Sequence, residues 1–276
     1  MKAEAQAGVL GPILQAAERR AAAARANRVR LEREAARAPA PLDFAGALRA
    51  GQHVAVIAEI KRKSPSAGRL TGAAAGDVVA LAERLAGCGA AALSVLTEEM
   101  HFGGSLDDLA RVASAVKVPV LRKDFLLDAA QLYEARAAGA SAVLLIVRVV
   151  GAARLPELVW LAADLGMASL VEVHAEAEFA PAVAAHPTAI GVNARDLDTL
   201  AVDQRVVERL LSAVPPSSLA VAESGLSSRG DVERAAGWGA DAVLVGTAIS
   251  GSADPAAALR AMLEVRRPAL RAGGGS

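Results

Sequence analysis

The sequence predicts a (β/α)8 barrel of the TIM type, preceded by an N-terminal helical extension. Three observations carry that expectation. From His53 onward, eight short Val/Ile/Leu/Ala runs alternate with helical patterns, as parallel strands joined by right-handed crossovers do. Five of the runs end abruptly in ionisable or amide side chains, and barrels carry out their chemistry at the C-terminal ends of their strands. A near-repeat marks three helix-to-strand turns: Arg84-Leu-Ala-Gly-Cys-Gly-Ala-Ala-Ala-Leu, Arg136-Ala-Ala-Gly-Ala-Ser-Ala-Val-Leu-Leu and Arg234-Ala-Ala-Gly-Trp-Gly-Ala-Asp-Ala-Val-Leu-Val. Glycine suits such turns because the residue past a helix end commonly needs φ > 0. An open doubly wound sheet is the alternative. It is disfavoured because the polar strand ends spread from first strand to last instead of clustering at one switch point.

In chain order, Val9 to about Arg37 is rich in Ala, Arg, Glu and Leu and reads as one or two helices starting near Pro12. Its arginines (Arg19, Arg20, Arg25, Arg28, Arg30, Arg33, Arg37) are interleaved with Glu18, Glu32 and Glu34. A solvated helical face therefore fits better than a targeting peptide or a nucleic-acid arm. Pro39 and Pro41 end the segment, and Phe44–Ala50 reads as a short helix. The expected strands are Val54–Ile60, Ala91–Leu96, Val118–Lys123, Ala142–Ile146, Ser169–Val173, Ala189–Asn193, Leu219–Glu223 and Ala242–Gly246. Each is a near-continuous apolar run, as a strand buried on both faces should be. Helical patterns separate them at Gly76–Ala86, Ser105–Val116, Ala129–Ala138, Ala152–Leu165, Glu176–Ala185, Asp203–Ala213 and Ser228–Gly237, with Pro255–Val265 after the last strand. The division expected is residues 1–50 as extension, 51–268 as catalytic barrel and 269–276 as a disordered, glycine-rich tail.

Composition narrows the function. Hydrophobic residues make up 54% and aromatics 3%, so the core must be built from Ala, Val, Leu and Ile. Lys+Arg and Asp+Glu are both 30, without the basic excess of a nucleic-acid binder. The single cysteine, Cys88, permits no intramolecular disulfide and agrees with a reducing cytoplasm; it is expected to be buried and inert at a helix end. No apolar stretch approaches the ~18 residues of a membrane span. No secretory signal pattern opens the chain, so a cytoplasmic protein is expected.

The polar strand ends are the candidate site. Glu59 and Lys61 alternate around Ile60, so both point to one face of the first strand. Lys123 ends the third strand beside Arg122 and Asp124. A lysine near other cations and partly desolvated can have a lowered pKa and serve as a general acid or as a Schiff-base amine. Glu172 and Glu223 end the fifth and seventh strands, and with Glu59 they should converge in a barrel mouth. Buried carboxylates need neutralising, and Lys61, Lys123 and Arg195 are the expected partners. Asn193 closes the sixth strand. Ser224-Gly225 and Gly246-Thr247 follow the seventh and eighth strands, where barrels often bind phosphate on backbone amides; Ser64 is a further phosphate candidate. His174 lies two residues beyond Glu172 and could reach the same mouth, but no spacing makes a metal motif.

Read together, these segments resemble indole-3-glycerol phosphate synthase. The resemblance runs through Ile57-Ala-Glu-Ile-Lys-Arg-Lys-Ser-Pro-Ser-Ala-Gly68, Ser94-Val-Leu-Thr-Glu-Glu-Met-His-Phe-Gly-Gly-Ser-Leu106 and Leu121-Arg-Lys-Asp-Phe125. It continues through Gln131-Leu-Tyr-Glu-Ala-Arg136, Leu170-Val-Glu-Val-His174, Ile190-Gly-Val-Asn-Ala-Arg-Asp-Leu197 and Ala222-Glu-Ser-Gly-Leu226. The resemblance implies ring closure of 1-(2-carboxyphenylamino)-1-deoxyribulose 5-phosphate to indole-3-glycerol phosphate, CO2 and water, without metal or organic cofactor. It assigns Lys123 as general acid on the ribulose carbonyl. Lys61 pairs with the anthranilate carboxylate and protonates the leaving hydroxyl. Glu172 is base or electrostatic stabiliser, while Glu59, Asn193, Arg195 and Glu223 orient the sugar and these groups. Ser224 joins the substrate contacts, and Ser64, Gly225, Gly246 and Thr247 match phosphate-binding positions. Phe102, Phe125, Leu144 and Leu197 are expected to wall the anthranilate ring.

Two departures stand out. The family's extension often brings an aromatic near the anthranilate, yet Phe44 is the only aromatic in Met1–Ala50. Leu70–Ala75 is rich in Ala and Gly, which predicts a mobile loop after the first strand. The rivals are a phosphoribosylanthranilate isomerase-like barrel and a non-catalytic phosphosugar-binding barrel. The first would need a cysteine base where Glu59-Ile60-Lys61 stands, and the second has no use for a buried Glu/Lys/Glu set.

Overall fold

Apolar runs that alternate with helices bury themselves best by closing into a cylinder, and all eight expected strands do so. The structure, a computed structural model, describes residues 9–64, 68–69 and 76–267. Its strands are β1 (Ala55–Ile60), β2 (Ala92–Leu96), β3 (Val120–Lys123), β4 (Ala142–Ile146), β5 (Ala168–Val173), β6 (Ala189–Asn193), β7 (Leu219–Glu223) and β8 (Ala242–Val245). They form a closed parallel barrel in sequence order, with β1 paired to both β2 and β8. The Leu70–Ala75 loop and the Arg271–Ser276 tail lie outside the described residues.

Period-two alternation sorts the core into two shells. Ile57, Leu121, Leu144, Leu170, Val221 and Leu244 fill the barrel interior. Val56, Ala58, Ile60, Val143, Val171 and Val243 pack outward against the helices. With so few aromatics, both shells rely on Ala, Val, Leu and Ile, in keeping with the composition.

The extension comprises α1 (Leu10–Ala26), α2 (Arg28–Arg37) and α3 (Phe44–Arg49). α1 begins two residues before Pro12, because proline is tolerated in a first helical turn, where its missing N–H has no partner to lose. Ile13 and Ala17 of α1, with Phe44 and Leu48 of α3, join the inner apolar cluster. α2 runs along the barrel's flank, where Leu31 packs with Ala24 and Ala130. Asp43 caps α3 by accepting from the Gly46 N–H at 2.8 Å, one of the orphan donors of the first turn.

Some boundaries differ from expectation. β3 starts at Val120, after Pro119, which has no N–H for the ladder. β8 stops at Val245 because Gly246 serves as the cap of a one-turn helix, Thr247–Ser250. Two further single turns, Glu99–Phe102 and Val147–Val150, follow β2 and β4. A helix of one turn has too few residues to show a period. Cys88 is half-buried, not buried: it caps the Val78–Gly87 helix with its sulfur 3.3 Å from an Arg260 guanidinium nitrogen.

Candidate active site

A cavity of about 570 Å³ opens where the strands end. The polar candidates Glu59, Lys61, Lys123, Glu172, Asn193, Arg195, Glu223 and Ser224 all line it. So do Gly225, Gly246 and Thr247, together with the apolar candidates Phe102, Phe125, Leu144 and Leu197. Ser64 sits in a two-residue strand, Lys63–Ser64, paired antiparallel to Gly68–Arg69; its side chain lies outside the described residues.

Register sets the neighbours. Glu172 pairs across from Ile146 on one side and Gly191 on the other, and Asn193 pairs with Glu223. Lys123 lies at the centre: its Nζ donates to Glu172 Oε2 at 2.7 Å and stands 3.4 Å from Glu223 Oε2. Both carboxylate side chains are about 1% exposed. Burial alone pushes both carboxyls up. For Glu172, the ammonium of Lys123 and the His174 imidazole 3.1 Å away outweigh burial and hold it well below the usual carboxylate range. For Glu223, burial and the negative charge of Glu172 hold it well above that range. Lys123 is expected from sequence to have a lowered pKa, and the structure reverses this. Burial lowers it, but Glu172, Glu223 and Glu59 together raise it above the ordinary lysine value. The neighbouring cation that suggested otherwise, Arg122, faces out of the barrel and binds Thr97, Gln131 O and Asp124.

A second ion pair stands on β1. Lys61 Nζ lies 3.1 Å from Glu59 Oε1 and donates to Thr247 Oγ1 at 3.2 Å. The buried Ser250 hydroxyl fixes this strand end, donating to Glu59 O at 2.6 Å and accepting from the Lys61 N–H at 3.2 Å. A methyl at Gly246 would overlap Glu59 Oε1, so only glycine lets the two loops approach this closely. Ser224 (φ 66°) and Gly225 (φ 70°) are both left-handed, and a side chain on Gly225 would overlap Gln204. A non-glycine residue held there marks strain of the kind that gathers at ligand sites.

Arg195 does not neutralise a carboxylate. Its guanidinium donates to Leu200 O at 3.0 Å, and its N–H donates to Asn193 Oδ1 at 2.9 Å, which fixes the Asn193 amide. Among the described residues it makes no ion pair, leaving a cation at the rim of the cavity.

Several contributors escape a reading of strand ends. Val9, Leu10 and Ile13 of the extension line the cavity, supplying aliphatic cover where the resemblance suggests an aromatic. Arg20 leaves the otherwise solvated arginine face: it donates to Asp124 Oδ1 at 2.8 Å and lies 3.6 Å from Glu98. Glu98 in turn caps the Glu99–Phe102 turn, accepting from the Phe102 N–H at 3.1 Å. Phe102 and Phe125 then face each other with ring centroids 6.3 Å apart. His174 reaches Glu172, its Nε2 3.1 Å from Oε1. The sequence puts it within reach of this mouth, since alternation two residues on returns it to the face of Glu172.

Comparison with known proteins places this geometry. A family model for indole-3-glycerol phosphate synthase matches residues 12–262. The chain is 48% identical over 229 residues to indole-3-glycerol phosphate synthase of Mycolicibacterium vanbaalenii, covering 83% of each chain. It is 46% identical over 226 residues to the enzyme of that name from Dehalococcoides mccartyi, covering 81% of this chain and 86% of the relative. Among solved structures it resembles a 3-hexulose-6-phosphate synthase, with a TM-score of 0.59 and 18% identity over 76% of this chain and 98% of that one. It also resembles thiamine phosphate pyrophosphorylase from Pyrococcus furiosus, with a TM-score of 0.58 and 16% identity over 80% of this chain and 96% of that one. Those two likenesses concern the fold alone.

Proposed function

The chain belongs to the indole-3-glycerol phosphate synthase family, and from that premise we propose how the charged groups of its barrel mouth divide the work. The activity is indole-3-glycerol phosphate synthase, a carboxy-lyase step of tryptophan biosynthesis on a phosphorylated small molecule. Closing the anthranilate ring onto the ribulose carbonyl builds negative charge on oxygen and positive charge in the ring. Loss of CO2 and then water completes the indole.

Lys123 is the general acid. In the resting site it is firmly protonated by its carboxylate neighbours. The substrate carbonyl draws it away from Glu172 and Glu223, which lowers its pKa toward the value a proton donor needs. Glu172, held ionised, stabilises the cationic ring until loss of CO2 discharges it, and then takes up the methylene proton released as water departs. Burial and the charge of Glu172 hold the Glu223 carboxyl well above the usual range, which favours its protonated form and eases its standing beside Glu172. Lys61 meets the anthranilate carboxylate and protonates the leaving hydroxyl, with Glu59 orienting it. Arg195, free of carboxylates, and Asn193 orient the sugar. Ser224, Gly225, Gly246 and Thr247 hold the phosphate in the two loops where barrels commonly do, with Ser64 as a further donor. Phe102, Phe125, Leu144 and Leu197 wall the ring, roofed by Val9, Leu10 and Ile13.

The observation that carries this assignment is the 2.7 Å contact of Lys123 with a carboxylate buried in a cavity of substrate size. Glu172→Gln tests it. Turnover should fall by about 10²–10⁴ with a much smaller change in substrate affinity. A loss confined to affinity would remove Glu172 from the chemistry. We read the protein as cytoplasmic, acting on small molecules and not on nucleic acid or membranes. The balanced charge supports this, as does the lack, among the described residues, of any helix long and apolar enough to cross a membrane.

A further inference from the structure

His174 is held more tightly than a spectator residue at a strand end. Its side chain is 0% exposed and does not border the cavity. Nε2 faces Glu172 Oε1 at 3.1 Å, and Nδ1 faces Glu178 Oε2 at 3.6 Å. Its backbone N–H donates to that same Glu178 oxygen at 2.7 Å. Arg148 anchors Glu178 from behind, donating to Oε1 at 2.6 Å. Glu172 thus has a cationic neighbour at each oxygen: Lys123 hydrogen-bonded to Oε2, and the His174 ring in 3.1 Å contact with Oε1.

We propose that His174 is a positioning residue for Glu172, clamping Oε1 so that the carboxylate stays aimed at the ring when the substrate draws Lys123 off Oε2. The proposal rests on the reading of Glu172 as a group that acts on the substrate. As Lys123 turns to the carbonyl and gives up a proton, its charge-assisted hold on Glu172 weakens; His174 is placed as a second holder that does not depend on the substrate. The groups facing its ring are Glu172 on its own strand, Glu178 on the Glu176–Ala184 helix and Arg148 on the Val147–Val150 turn. Burial opposes protonation and Arg148 does so weakly, but the two carboxylates prevail and raise the imidazole to about 9. At neutral pH the clamp is therefore a cation, and it favours the ionised form of Glu172.

Steady-state kinetics from acid to alkaline pH on His174→Leu, His174→Gln, Glu172→Gln and the His174→Gln/Glu172→Gln double variant test this. His174→Leu should lower kcat about tenfold or more with little change in KM. His174→Gln, whose amide nitrogen can reach the same oxygen, should recover most of that loss. Both lack the cation, so the acid limb of the kcat profile should move up by roughly one unit in each. An unmoved acid limb overturns the proposal, as does unchanged kcat in His174→Leu. If the leucine variant does not fold, the acid limb of His174→Gln decides. Adding His174→Gln to Glu172→Gln should cost nothing further. An additive loss there would overturn the clamp while leaving the role of Glu172 intact. Wild-type turnover in Glu172→Gln would overturn both.

Discussion

A methyl placed on Gly191 would overlap Glu223 Oε1 and press on Leu170. Gly191 is not in the left-handed region, so what its position demands is space, not backbone freedom. Gly191→Ala should push Glu223 off Lys123 and disturb Glu172, its register neighbour. We expect kcat to fall at least about tenfold and stability to drop by about 1–3 kcal/mol, as overpacking typically does. Wild-type kcat with an unchanged melting temperature would show that Glu223 moves aside freely. At this scale the strand-end charges were the most legible part of the sequence. A buried parallel strand is apolar, so Glu59, Lys123, Glu172 and Glu223 stand out where each run stops. Their protonation states were not legible, because they depend on distances. The raised pKa of Lys123 comes from carboxylates on three other strands, whereas the cation beside it in sequence points the other way.

Of the three arginines on α1, Arg20 makes the buried tie to the barrel, while exposed Arg25 adds a 3.4 Å contact to Asp128 at the surface. Arg20 is 24% exposed, while the carboxylates it reaches, Asp124 and Glu98, are fully buried. Removing it leaves Asp124 to Arg122, Thr97 and the Phe125 N–H, and Glu98 to His101 and the N–H groups of its helical turn. Arg20→Ala should cost about 1–3 kcal/mol, a melting-temperature drop of several degrees. It should also raise KM severalfold, because the same helix carries Leu10 and Ile13 to the cavity. Unchanged Tm and KM would show that the extension docks without this contact. The helical character of the extension was plain from its composition, but which arginine turns inward depends on docking phase. Val9, Leu10 and Ile13 look like any core aliphatics, so nothing in the sequence marked them as cavity residues. The one-turn helices after β2, β4 and β8 were equally hidden, though they carry Phe102, Arg148 and Ser250.

For the molecule as a whole, the barrel gathers groups from β1, β3, β5, β6 and β7 that are far apart in the chain. Alternation with helices made the parallel architecture readable, and the spread of polar strand ends from first run to last favoured a closed barrel over an open doubly wound sheet. The central claim is that protein side chains alone, with Lys123 as acid, close the indole ring in this mouth. The most direct measurement is fluorescence-detected formation of indole-3-glycerol phosphate from 1-(2-carboxyphenylamino)-1-deoxyribulose 5-phosphate, with chelator present, by the wild-type protein and by folded Lys123→Ala. The account predicts product from the wild type and a rate about 10²–10⁴ lower in the variant. No product from a wild type that binds substrate, or equal rates from the two proteins, would contradict it.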